Sequence, residues 1–320
     1  MYHVFSFDAF DGTISGTVDV GDNFANTNLT NLENLLQEEA KKFEKVCSRF
    51  DPESELNKLN KNFGYCSISD TLLELLTLAK EAYTNTNEIF DPTIIKALEN
   101  IGYNKSFSQM QSISEIINEK NSINLSDYKS RPKFSELIID KDNSQIYLPP
   151  NMQIDLGGIA KGFWVDKMMK TILVSYKSAW LSAGGDIYIR GSNETNNFGK
   201  ILIQDPTNLA KNLLSCIIDL EEFGVATSGI AKRQGRRNGK DWHHIINPQT
   251  GLSAKTDLLS ATVLAKNTTE ADVYAKTAII LGSQQAERFL RETVGCEYIL
   301  INKEKKVFHS ENLTMAYVKD

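Results

Sequence analysis

The run Ile154-Asp155-Leu156-Gly157-Gly158-Ile159-Ala160-Lys161-Gly162-Phe163-Trp164-Val165-Asp166 leaves its backbone few ways to fold. An acid is followed by two adjacent glycines and a lysine, then by residues that continue comfortably only as a helix. Glycine has no Cβ, so the backbone can approach a ligand closely. The first amides of a helix lack intrahelical partners and favour an anion. The segment therefore predicts a turn into a helix that suits phosphate beside a carboxylate. Gly157, Gly158 and Gly162 do not space as G-x-G-x-x-G, and Lys161 precedes Gly162, so neither common nucleotide motif is present. On spacing alone, a purely structural glycine turn is the simpler reading.

The remaining chain narrows the choice. A formal net charge of -6 and a pI of about 5.4 disfavour a general nucleic-acid role. No apolar run approaches the roughly twenty residues that cross a bilayer. The start, Met1 to Asp8, reads as neither a signal peptide nor a lipid anchor site. Cys47, Cys66, Cys216 and Cys296 are widely separated and predict reduced core thiols in a cytoplasmic protein.

Val4–Asp19 alternates loosely and reads as one or two strands around Asp11-Gly12. Thr30-Asn31-Leu32-Glu33 reads as a capping box, with Leu32, Leu35, Leu36, Ala40, Phe43 and Cys47 at helical spacing behind it. Further helices are expected over 70–84, from Phe90-Asp91-Pro92-Thr93 through Leu98, up to about Leu173, and behind caps at Thr268/Thr269 and Ser283. Strands are expected at 134–139, 145–148, 179–183, 187–190, 200–204, 214–219, 224–227, 260–265, 298–302 and 307–309. This irregular mixture argues for an α+β fold with mostly antiparallel sheets and flanking helices. No linker divides the chain, so residues 1–320 read as a single domain, with 104–133 a peripheral polar excursion.

Four more segments have the chemistry of ligand loops. Ala183-Gly184-Gly185-Asp186 offers a close backbone and an acceptor carboxylate, or simply a tight turn. Ala226-Thr227-Ser228-Gly229 offers two hydroxyls. His243-His244, on a strand, would face opposite ways, and one imidazole could take a proton from an attacking hydroxyl. Asp272 starts a helix, where it suits the helix dipole or a hard cation completed by water and phosphate oxygens. The basic cluster Lys232, Arg233, Arg236, Arg237 and Lys240 reads as a solvated loop with a type I′ tip at Arg237-Asn238-Gly239-Lys240.

In order along the chain, seven segments resemble the ApbE family of FAD:protein FMN transferases. They are Ser48-Arg49-Phe50-Asp51-Pro52 with Ser54-Glu55-Leu56 and Leu59-Asn60, then Phe90-Asp91-Pro92-Thr93, then Asp155 to Gly162. Ala183 to Asp186, Ala226 to Gly229, His244-Ile245-Ile246-Asn247-Pro248 with Thr250-Gly251, and Ala271-Asp272 complete the set. The resemblance implies a T-fold-related single unit with an FAD cleft between its sheets. It implies transfer of FMN from FAD to a Thr or Ser hydroxyl of an acceptor flavoprotein, a post-translational flavinylation that releases AMP. Lys161 with the Gly157, Gly158 and Gly162 amides would hold the diphosphate. The Ala160 carbonyl and Asp272 would hold Mg²⁺, and His244 would be the base. Asn60, Asp91, Asp155, Gly184, Gly185, Asp186, Ser228 and Thr250 would line or flank the FAD cleft.

Three positions depart from the family pattern. Lys276 stands where a threonine follows the metal-binding aspartate by four. Thr277, the neighbouring candidate metal ligand, is turned well away on a helix. Lys276 is thus expected to supply catalytic charge in place of part of the cation, or to weaken metal binding. Asn247 replaces a common aspartate, and Glu88-Ile89 replaces a glycine pair, which is expected to displace that loop. Acceptor sites resemble D-G-x-[ST]-G-A-T. Asp11-Gly12-Thr13-Ile14-Ser15-Gly16-Thr17 approaches that pattern in the wrong register and reads as a strand turn. The alternatives to transfer are a Mg²⁺-dependent FAD pyrophosphatase and a non-catalytic FAD-binding protein. Neither nucleic acid nor a membrane anchor is expected as a partner.

Overall fold

The computed structural model describes residues 1–21, 26–103, 128–191, 200–218, 221–237 and 240–318. Most of the expected polar excursion, and the Asn238-Gly239 tip, lie outside the described residues. The chain forms two compact units. One comprises Met1–Lys41, Lys161–Ala231 and Thr256–Asp320, the other Lys42–Ala160 and Lys232–Lys255.

An antiparallel sheet of eight strands organises the first unit. Its order is Tyr2–Ala9, Gly12–Asp19, Ala179–Ala183, Asp186–Arg190, Glu222–Gly229, Leu258–Ala265, Glu297–Asn302 and Val307–His309. Alternation explains the pairing: along Gly12–Asp19, Ile14 and Val18 are fully buried. The Asp11-Gly12 turn is a tight one, with Phe10 and Asp11 at φ 57 and 58°. Thr13 pairs across it with Asp8, so the segment that approaches the acceptor pattern is a paired hairpin.

Helix Thr268–Leu281 packs on strands Glu222–Gly229 and Leu258–Ala265. Two glycines permit this close approach. A Cβ on Gly224 would lie 2.1 Å from the Asn267 carbonyl carbon, and one on Gly162 would lie 2.7 Å from the Thr268 oxygen. Gly162, expected at a diphosphate, is here a contact between helix Ala160–Thr171 and the start of helix Thr268–Leu281. A three-stranded sheet, Thr314–Tyr317, Asn208–Ile217 and Lys200–Asp205, contributes Ile201, Ile203, Leu214 and Cys216 to the same core as Phe223, Val225, Leu264 and Ile299. The strand at Thr314–Tyr317 carries little alternation and escaped the sequence reading.

The second unit holds helices Glu55–Leu59, Asp70–Asn85 and Ile95–Asn100, the small sheet Gly64–Ser67, Gln145–Leu148 and Ile138–Asp140, and two short hairpins. Helix Asp70–Asn85 buries Leu72, Leu73, Leu75, Leu76, Ala79 and Tyr83 along one stripe, with Ser69 as its N-cap. Ala97, Leu98, Ile101, Tyr103, Tyr128, Trp242 and Ile246 form a second core cluster.

Several element boundaries differ from expectation for local reasons. The first long helix runs Asn26–Cys47, so the Thr30–Glu33 pattern lies inside it, and Leu35 is exposed while Leu32, Leu36 and Ala40 are buried. Residues 91–93 form a turn, not a helix start, because Asp91 Oδ1 accepts from the Thr93 amide at 2.8 Å and its hydroxyl at 2.7 Å. The helix begins only at Ile95. Asn267, not Thr268 or Thr269, caps its helix by accepting from the Glu270 amide. Gly282, not Ser283, precedes the next helix, Ser283–Glu292, and the Ser283 hydroxyl donates to Asp257 instead.

Of the Glu88-Ile89 pair that stands where glycines were expected, Glu88 takes left-handed backbone at φ 65°, as does the preceding Asn87 at φ 50°. The Glu88 amide bonds the Tyr83 carbonyl at 2.8 Å and that of Asn87 bonds Thr84 at 3.1 Å, closing the helix end. The turn is therefore made despite the missing glycines, at the steric cost that a side chain incurs there.

Candidate active site

In the second unit, the Ile154–Gly158 segment is held from several sides. The Asn60 amide pairs with both backbone groups of Ile154, donating to its carbonyl at 2.9 Å and accepting from its N–H at 2.8 Å. The Asp155 amide donates to the Pro92 carbonyl at 2.8 Å. The Asp155 carboxylate meets Arg49 Nε at 2.6 Å and accepts from the Gly157 amide at 2.9 Å. Arg49 also donates to the Tyr103 carbonyl at 3.1 Å, and its guanidinium lies 4.3 Å from the Phe50 ring centre. Arg49 lies in the Ser48–Pro52 segment that resembles the family, although the sequence assigned it no role of its own.

Three of the segment's amides are already bonded within the chain. The Gly157 N–H is bonded to Asp155, and those of Ile159 and Ala160 both reach the Leu156 carbonyl, at 3.1 and 2.9 Å. Gly157 is exposed whereas Gly158 is buried. The helical turn that closes on Leu156 takes up the Ile159 and Ala160 donors.

The loop carrying His244 and Thr250 lies in the same unit. His244 follows the strand Lys240–His243. Its Nδ1 lies 3.4 Å from the Arg233 carbonyl, and its ring centre lies 6.1 Å from that of Tyr103. A carbonyl can only accept, so this contact places the proton on Nδ1 and leaves Nε2 as the basic nitrogen. His243 Nε2 instead contacts the Ala254 carbonyl at 3.0 Å. Asn247 Oδ1 accepts from the Gln249 amide at 2.9 Å, a turn that needs no charge and so tolerates asparagine in place of aspartate. Thr250 is exposed, and its Oγ1 accepts from the Leu252 amide at 3.3 Å. Asp91 is ion-paired with Arg131 at 2.7 Å. Arg131 sits at the end of the stretch read as peripheral, yet it and the fully buried Tyr128 belong to this network.

In the first unit, Lys161 and the Ala183–Asp186 turn come together. Lys161 Nζ is ion-paired with the buried Asp186 carboxylate and donates to the Ala183 carbonyl at 3.3 Å. Gly184 and Gly185 turn there with φ 64 and 103°, exposed on the surface. A Cβ on Gly184 would stand 3.9 Å from Lys161 Nζ. The result is a cation over an open glycine turn with a carboxylate beneath it.

Asp166, five residues along the same helix, accepts from the Thr268 and Thr269 amides at 2.8 and 2.9 Å and from the Thr269 hydroxyl. Burial pushes its carboxyl above the ordinary aspartate value, opposed by those hydrogen bonds. Asp272 lies buried on helix Thr268–Leu281, and Lys276, half-buried, follows by four on the same face. Thr277 is fully buried and donates its hydroxyl to the Val273 carbonyl at 2.8 Å, which gives it a packing position, not a ligand position. Ser228 is half-buried and pairs with Ala261 within its sheet.

A sequence model described as the ApbE family matches residues 11–300. The chain belongs to the ApbE family. An ApbE relative from Buchnera aphidicola subsp. Baizongia pistaciae, called FAD:protein FMN transferase, is 30% identical over 248 residues, covering 75% of this chain and 70% of that protein. The protein of the same name from Escherichia coli strain K12 is 24% identical over 283 residues, covering 87% and 78%. A Treponema pallidum relative, again so named, is 32% identical over 165 residues, and there the chain spans only 45% of the relative's length. Among solved structures, the ApbE protein of Thermotoga maritima superposes with a TM-score of 0.82 at 21% identity, covering 97% of both chains. The flavin transferase ApbE from Vibrio cholerae gives 0.80 at 20%, also covering 97% of each. The ApbE fold, mixed α and β with mostly antiparallel sheet, is therefore that of this chain.

Proposed function

We propose that this chain is an FAD:protein FMN transferase, a single catalytic module over residues 1–320. The observation that carries the reading is the family match across residues 11–300. The acceptor is a flavoprotein presenting a Thr or Ser hydroxyl in a D-G-x-[ST]-G-A-T-like segment. The hydroxyl oxygen bonds to the FMN phosphorus of FAD, the phosphoanhydride bond to the AMP phosphate breaks, and AMP departs. The hydroxyl proton must go to a base.

In the second unit His244 is that base. The Arg233 carbonyl holds the proton on Nδ1 and leaves Nε2 to accept the new one. In the first unit Lys161 neutralises the diphosphate, and Asp186 aims its ammonium. The turn at Gly184-Gly185 lets a phosphate approach that cation. In the second unit Asp91, Asp155 and Thr250 are the residues assigned to the flavin nucleotide, with Asn60 positioning Asp155, and in the first unit Ser228 is assigned to it.

Mg²⁺ would lower the charge barrier of the diphosphate. Among the described residues no group of three or more His, Cys, Asp or Glu side chains gathers to hold a metal ion. A single buried carboxylate, Asp272, fits an ion that takes few protein oxygens. Asp272 would hold it in the first unit, and the Ala160 carbonyl is the oxygen that the family resemblance adds. The half-buried Lys276 opposes that cation. Lys276→Thr should tighten Mg²⁺ at least about tenfold in calorimetry, given the charge removed one helical turn away. An unchanged dissociation constant would remove Lys276 from the metal environment. A cytoplasmic location is part of the same reading, with Cys47, Cys66, Cys216 and Cys296 all free thiols.

The test is incubation with FAD, Mg²⁺ and a protein bearing the acceptor segment. Flavin fluorescence that persists on the acceptor in a denaturing gel, with AMP released in equal amount, is the expected result. Free FMN without labelled acceptor would make the protein a pyrophosphatase, and unchanged FAD would leave only binding.

A further inference from the structure

One guanidinium in the second unit joins segments that chain distance keeps far apart. Arg131 Nη2 meets Asp91 Oδ2 at 2.7 Å and the Pro248 carbonyl at 3.0 Å. Its Nε donates to Thr93 Oγ1 at 3.0 Å, and Nη1 to the Tyr128 carbonyl at 3.3 Å. The same guanidinium stacks on the Tyr128 ring at 4.1 Å. Tyr128 supports the arrangement, because its hydroxyl donates to that same Pro248 carbonyl at 3.1 Å. Its ring lies so close to Gly251, at φ 69°, that an added Cβ would come within 2.5 Å.

Each end of this bridge leads to a residue of the proposed site. At one end, the Pro92 carbonyl between Asp91 and Thr93 accepts the Asp155 amide. At the other, the 247–251 turn that carries Thr250 closes through the Gly251 amide on the Asn247 carbonyl at 2.9 Å. His244 lies three residues before that turn. Arginine suits the task because its planar fork presents several donors at fixed angles, whereas lysine is a single mobile point charge.

We propose that Arg131 is a positioning residue for flavin transfer, locking the His244–Gly251 loop to the Asp91–Thr93 turn. The proposal rests on the transferase reading, and it assigns Arg131 no contact with substrate. Without the guanidinium, the loop keeps its internal turn and loses its anchor. His244 then spends less time in register with the acceptor hydroxyl, and a misplacement of about 1 Å is enough to cost rate steeply. FAD affinity, which draws on many groups, changes little.

Arg131→Lys is the decisive variant, because it preserves a cation for Asp91 and so avoids an uncompensated buried carboxylate. Arg131→Ala gives the larger effect where it folds. Transfer kcat is expected to fall roughly tenfold in Arg131→Lys and roughly a hundredfold in Arg131→Ala, with KM for FAD within about threefold of wild type. Hydrogen exchange should quicken at least about tenfold at the 247–251 amides and stay unchanged in helix Asp70–Asn85. An unaltered kcat and unaltered loop exchange in Arg131→Lys would overturn the proposal. Equal losses in kcat and FAD affinity, with faster exchange throughout the unit, would reduce Arg131 to a fold residue. If wild type labels no acceptor, the transferase reading fails, and the exchange experiment still reports whether Arg131 holds the loop.

Discussion

Lys161→Ala should lower the rate of flavin transfer by about 10²–10³-fold, the usual loss when one preorganised stabiliser of developing charge is removed. The structure supplies the reason that a neighbouring lysine cannot simply substitute. Lys161 Nζ is fixed by Asp186 and by the Ala183 carbonyl above a glycine turn. A fixed ammonium costs no reorganisation when phosphate charge shifts, while a mobile one does. The alanine variant also leaves Asp186, 4% exposed, without its cation, and a buried carboxylate stripped of its partner destabilises a fold by roughly 3–5 kcal/mol. The comparison should therefore include Lys161→Ala combined with Asp186→Asn, in which stability recovers and transfer does not. In-gel fluorescence rates and thermal melting separate the two effects. A folded Lys161→Ala protein that transfers within threefold of wild type would remove Lys161 from the chemistry.

The largest stability effect is expected at Asp166, which takes no part in the proposed reaction. Asp166→Ala strands the Thr268 and Thr269 amides, both bonded to that carboxylate at the buried start of a helix. Each orphaned donor costs about 1–3 kcal/mol, so the variant should lose roughly 3 kcal/mol and melt about 6–12 °C lower. The pH dependence has a definite sign. Burial raises the folded-state pKa of Asp166 above its unfolded value, so the folded state holds its proton more tightly. The Asp166 contribution is therefore complete below the ordinary aspartate range, about 3.9. It diminishes as pH rises through the raised value. The gap between wild type and Asp166→Ala should be widest in acid and narrow toward neutrality. A gap that widens with rising pH would mean that hydrogen bonding to the carboxylate outweighs its desolvation.

Local pattern made much of this fold readable. The Leu72–Tyr83 stripe, the strand turn at Asp11-Gly12 and the turn into helix Ala160–Thr171 each depend on neighbours a few residues away, and each stands where the sequence placed it. What escaped was long-range polar pairing. Thr268 and Thr269 look like caps in isolation, but Asp166 reaches them from about a hundred positions earlier, and the neighbouring Asn267 takes the cap. Asp155 looked like an open carboxylate because nothing in its vicinity along the chain announces Arg49. Arg131 lay at the edge of a polar stretch without periodicity, and only the folded chain brings it to Asp91 and Pro248. A charged side chain carries no periodic signal that names its partner, whereas an apolar stripe reveals its own buried face.

The Asn60–Ile154 pair has a kinetic corollary. A side-chain amide there does the work of a strand neighbour, satisfying both backbone groups of a residue 94 positions away. A contact between such distant residues forms only after a long stretch of chain has already been ordered, and the entropy of closing that loop must be met before the two bonds compensate for it. The segment around Asp155 is therefore expected to take its shape after the local helices, which pulse-labelling hydrogen exchange at the 154–157 amides would check. A newly made chain can be compact and largely helical while its Ile154–Gly158 loop is still unset.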